Sequence, residues 1–218
     1  MNQGTADENL ATIRSLIERA EIYRAIFARA ALIGGILSIL TAGAVYLNDE
    51  VTHFLNRTVR PREFAFAWVD VFVLTLIVAG LFWWWSARGR NEAAASARLK
   101  FAFRTVAPCL VIPAAFTSWF FTTGYLGAAE LELVVVWIVF YGLMLLSTAF
   151  FAPPAIALLG WAFLLTGLSV PLCVEAVDNW LGNVSTVFMG TTFGLYHLIF
   201  AALNWRRRVP VAGKIEME

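Results

Sequence analysis

Charge is scarce in this chain. Asp, Glu, Lys and Arg make up 14% of its 218 residues, little more than half the share of ordinary soluble domains. What charge there is nearly cancels, leaving a formal net of +1, so no field of one sign draws the chain to nucleic acid. Cysteine is scarcer still. Cys109 and Cys173 are the only two, which excludes a disulfide-stapled secreted module, and no Cys/His spacing suits zinc or haem. Lysine occurs twice, at Lys100 and Lys214, both in polar stretches, so a retinal Schiff base has no side chain to form on. A nucleotide-binding loop, a metalloprotease helix motif and a haem signature are also missing. No cofactor, no metal and no enzymatic activity are expected.

Apolar residues are abundant: 60% are hydrophobic, and the mean hydropathy is +0.73. A soluble fold of this size has no interior large enough for that surplus. At about 20 residues per span, the length permits six crossings. The expected class is therefore all-α: a polytopic integral membrane protein, a bundle of six transmembrane helices preceded by a short N-terminal amphipathic helix.

The organisation follows from the breaks between apolar runs. Residues 1–24 form the lead-in helix, because Thr5-x-x-Glu8 is a capping-box pattern followed by Leu10, Ile13, Ile17 and Ala20 at helical spacing. Its acidic residues and length argue against a secretory signal, and Ala42-Gly43-Ala44 lies within a spanning run rather than at a cleavage site. The membrane domain covers residues 25–205. Its spans are predicted at Ala25–Leu47, Phe64–Trp85, Thr105–Ala129 (kinked by Pro108 and Pro113), Leu133–Ala152, Pro154–Cys173 and within Asn179–Trp205. The fourth and fifth come from one uncharged run of 42 residues divided at Pro153-Pro154. Between the second and third spans, Ser86 to Arg104 suggests a separate basic surface helix. Residues 206–218 are a basic end, Arg206-Arg207-Arg208, and a short tail.

Positive charge orients the bundle. With the N-terminus inside, thirteen Lys and Arg fall on the inner side and only Arg57, Arg60 and Arg62 on the outer. Both termini are expected in the cytoplasm of a plasma or inner membrane, with the basic inner face against anionic lipid.

Polar groups inside spans are the candidate chemistry. Asp70 is the only acid well within a predicted span, roughly 10 Å from the outer surface, with Thr117 and Ser118 at similar depth as donors. If the second span instead begins near Trp68, Asp70 belongs to the headgroup region, and the two readings stand equal. His197 lies on the sixth span, on a face shared with Gly190, Gly194, Ala201 and Asn204. That face serves either as packing glue or as the lining of a polar path. Gly34 and Ser38 on the first span, and Gly190 and Gly194 on the sixth, mark small-residue faces for close helix contact. Gly167-x-Ser169 with His197 supplies the residue types of a serine dyad, but a depth gap of roughly 12 Å separates them and rejects it. The sequons at Asn56 and Asn183 fall on expected outer loops close to the membrane, and chance occurrence is the stronger reading of them.

Two functional classes remain. One is a partner-binding or sensing membrane subunit, alone, as a homo-oligomer or with another membrane protein. The alternative is a small-solute transporter or channel, which needs Asp70, the third span and the His197 face around one cavity.

Overall fold

The computed structural model describes residues 27–48, 61–87, 92–123, 130–148, 154–181 and 183–205. All of these except Asn183 are helical, and six helices are long and apolar enough to cross a membrane. In chain order they are α1 (Phe27–Asn48), α2 (Pro61–Ala87), α3 (Glu92–Thr123), α4 (Glu130–Thr148), α5 (Pro154–Leu181) and α6 (Val184–Trp205). The expected lead-in helix over residues 1–24, the tail after Trp205 and the sequon at Asn56 lie outside the described residues.

Several helix ends differ from the sequence expectation, each for a local reason. The separate surface helix before the third span does not exist as such: α3 is one helix of 32 residues. From Glu92 to Ala107 there is neither glycine nor proline, and alanine-rich sequence propagates helix well. Nothing therefore stops the surface segment from running into the span. The helix also continues through Pro108 and Pro113, with the Thr117 hydroxyl donating to the Pro113 carbonyl at 2.6 Å. Spanning helices tolerate proline where side chains repair the local hydrogen bonding. α4 begins at Glu130 rather than Leu133, with Glu130 and Glu132 in its first turn, where acids complement the helix dipole. α5 runs past the expected end to Leu181 and takes Glu175 into the helix, since no breaker follows Pro171 until Gly182.

α6 starts at a side-chain cap. Asn183, at φ 23°, accepts from the Thr186 amide through Oδ1 at 3.1 Å, satisfying one of the free donors of the first turn. The middle of the helix, Gly190–Tyr196, is wound as a π-helix. That wider winding turns the second half of α6 relative to the first.

Packing is organised around α4, which runs along both α3 and α5. Glycine sets the α4–α5 approach: a Cβ on Gly142 would stand 2.8 Å from the Leu164 amide nitrogen and 2.9 Å from the Gly160 carbonyl oxygen. α1 closes on α6 in the same way, since a Cβ on Gly35 would stand 3.1 Å from the Gly194 oxygen. α2 is held chiefly along its first half, where Phe64, Ala65, Trp68 and Val71 are buried. Beyond Val71 its large apolar residues are mostly exposed, and Thr75 meets Gly34 of α1.

Candidate functional site

The polar side chains proposed from the sequence fall in three separate places. Asp70 is exposed on α2. Six residues separate it from Phe64, where the uncharged stretch of α2 begins, which is roughly 9 Å along the axis. Thr117 is buried on α3, where it accepts from Trp137 Nε1 at 2.9 Å while donating to Pro113. Ser118 is exposed and donates to the Ala114 carbonyl of its own helix at 2.9 Å. Neither hydroxyl bonds to Asp70, and among the described residues no donor reaches its carboxylate.

The second place is the centre of the bundle. His197 is buried, and its Nε2 lies 2.7 Å from the Tyr141 hydroxyl of α4. A ring of aromatic groups encloses the pair. Tyr141, Phe163 and Phe193 lie with centroids 4.8–5.1 Å apart, and Phe193 stacks on His197 at 6.3 Å. One turn away, Tyr196 and Thr166 hydroxyls meet at 2.8 Å. Thr166 also donates to the Ala162 carbonyl, so Tyr196 is the donor to Thr166. The bond runs from the Tyr141 hydroxyl to Nε2 in the Nδ1–H tautomer of the imidazole, and from Nε2 to the Tyr141 oxygen in the other. The carbonyls of Thr192 and Phe193 lie against the ring, yet neither meets Nδ1 with hydrogen-bond geometry, and that atom is left unpartnered.

The face that the sequence assigns to His197 is split by the π-wound segment. Gly190 and Gly194 face α1, at Ala42 and Ile39, while Phe193 and His197 face α4 and α5. Gly34 and Ser38 are buried on α1, Gly34 against Thr75. Tyr141, Phe163, Thr166 and Tyr196 were not singled out from the sequence. The available signal was polar atoms inside uncharged runs, which marked Tyr141, Thr166 and Tyr196 as strongly as His197.

The third place is a groove of about 410 Å³ between α5 and α6, lined by apolar residues together with Tyr196 and Asn204. Asn204 donates through Nδ2 to the Phe200 carbonyl at 2.8 Å. Asp70, Thr117, Ser118 and His197 do not line this groove. Among the described residues no group of three His, Cys, Asp or Glu gathers as a metal site, and Cys109 and Cys173 are free thiols.

Compared with known protein families, with curated proteins and with solved structures, the chain matches none.

Proposed function

We propose that this chain is a multi-pass membrane protein acting as a non-enzymatic, partner-binding or sensing subunit, with both termini cytoplasmic and its basic inner face on anionic lipid. The observation that carries this reading is the use made of the interior polar groups. Tyr141 and His197, Thr166 and Tyr196, and Trp137 and Thr117 bond to one another across helices, which is the pattern of packing glue in spanning bundles. A transporter would instead aim such groups into a wet cavity near the midplane. The 410 Å³ groove is apolar, lies toward one end of α5 and α6, and does not include Asp70 or His197.

Two measurements on the full chain test the reading. Purified protein in phosphatidylcholine vesicles is expected to give no proton or small-solute flux above empty vesicles, and mild-detergent isolation from its own membranes is expected to retain a companion membrane protein at fixed stoichiometry. Flux that disappears in His197→Ala, with the chain isolated alone, would establish the transporter alternative instead.

A further inference from the structure

We infer that the exposed face of α2 around Asp70 docks a membrane-spanning helix of another protein, one carrying an arginine or lysine at the depth of Asp70. This rests on the partner-binding reading and specifies the partner's chemistry.

Asp70 stands about 9 Å inside the uncharged stretch of α2 that begins at Phe64, on the outside of the bundle. Lysine and arginine can extend long stems from such a depth to the headgroups, but a carboxylate one methylene from the backbone cannot. An ionisable group within a spanning segment ordinarily faces the bundle interior, a cavity or a partner. Here the bundle supplies no donor among the described residues, and no donor comes from the neighbouring turns of α2, where Phe66, Val73 and Leu74 are exposed apolar residues.

The surroundings have the form of a helix seat. Asp70, Val73, Ile77 and Gly80 recur at spacings of three, four and three residues, which is the seam that one helix offers another. Val73 and Ile77 are 45% and 53% exposed, and a Cβ on Gly80 would meet nothing within 4 Å. A small residue on such a face lets a second backbone approach closely. The seat is thus apolar, open and marked by one negative charge.

No described cation of a second copy inserted in the same direction stands at the level of Asp70. Gly34 of α1 packs against Thr75 of α2. Arg29 lies five residues from Gly34 away from the α1–α2 connection, and Asp70 lies five residues from Thr75 toward it, so their levels differ by roughly 15 Å. Phe66 stacks on Phe121, which by the same count puts Arg104 of α3 roughly 20 Å from the level of Asp70. Arg62 is about 12 Å away on the other side. In a dimer with both copies inserted in one direction, no described cation reaches the carboxylate. A partner helix with its own buried cation does, and the resulting charge-assisted hydrogen bond forms where water does not compete.

The test uses the full-length protein in phosphatidylcholine vesicles with a fluorescent leucine–alanine spanning peptide bearing one arginine about 9 Å from its end, and a matched peptide with leucine there. Energy transfer is expected to show the arginine peptide associating roughly tenfold more tightly, as one desolvated charge pair provides. The preference should vanish in Asp70→Asn and persist in Asp70→Glu. Gly80→Leu should weaken both peptides while the carboxylate stays in place. Equal association of the two peptides, a preference that survives Asp70→Asn, or crosslinking of Val73→Cys between two copies of the chain would overturn the inference. A companion retained from native membranes despite equal peptide binding would leave the partner-binding reading standing and remove only the Asp70 seat.

Discussion

The Tyr141–His197 hydrogen bond joins residues 56 positions apart, and no short-range pattern announces it. His197 was visible because a histidine in an uncharged run stands out. Tyr141 was not, because a tyrosine among apolar residues has the look of packing, and the rotation that brings His197 to it comes from π-winding, which leaves no local signature. The pair is buried among Phe163 and Phe193, so losing one partner should cost more than the bond's own net worth. Tyr141→Phe is expected to lower stability by about 1–3 kcal/mol, the penalty of a buried polar atom left unpaired. The double variant Tyr141→Phe with His197→Leu should cost less than the two single changes together. Denaturant unfolding in detergent gives the cycle, and strict additivity would show that the two groups do not interact. At the start of α6, Asn183→Ala removes the Thr186 cap and should cost about 1 kcal/mol, read in the same assay.

Among the helices, existence was legible and attachment was not. All six were predicted, because runs of apolar residues long enough to span are a strong signal. The continuity of α3 was missed because the basic stretch before Thr105 suggests an interface, although its helix formers carry straight on. The glycine contacts divide in the same manner. Gly34, Gly190 and Gly194 lie on rows of small residues at four-residue spacing. Gly142 is a single glycine, and its close neighbour Gly160 lies on the next helix, so one helix alone does not reveal the contact. The atoms around each glycine rank the outcomes of substitution. At Gly142 a Cβ meets backbone of α5, which cannot rotate away, and Gly142→Ala should destabilise by about 1–3 kcal/mol. At Gly194 the nearest atom is Ile39 Cδ1, the end of a flexible side chain, and Gly194→Ala should cost less. At Gly43 nothing lies within 4 Å, and Gly43→Ala should be neutral or stabilising by about 0.5–1 kcal/mol, since alanine favours helix. Thermal unfolding of the three variants in one detergent checks the order, and a Gly43→Ala protein weaker than Gly142→Ala would reverse it.

At the scale of the whole molecule, six crossings would leave the two termini on one side, with the distribution of charge deciding which side. The helices establish neither insertion nor orientation by themselves, so the expected orientation rests on the sequence count of thirteen Lys and Arg on one side of the six helices against three on the other. The unbroken α3 sharpens the expectation. Glu92–Thr123 is roughly 48 Å long, well beyond a ~30 Å hydrocarbon core. Its apolar part is Val106–Thr123, and the excess must therefore project from the end that bears Arg98, Lys100 and Arg104. That end should lie in the cytoplasm, with Arg57, Arg60 and Arg62 outside. In a protein with Cys109→Ala and Cys173→Ala, Ser96→Cys is expected to react with a membrane-impermeant maleimide only after the cells are permeabilised, and Thr52→Cys in intact cells. Lys214→Cys should behave as Ser96→Cys does, because four spans lie between them. Labelling of Ser96→Cys in intact cells would invert the topology. Opposite behaviour of Ser96→Cys and Lys214→Cys would mean that one of the four helices α3–α6 does not cross, with α3 the first suspect, since only 11% of its apolar segment is buried.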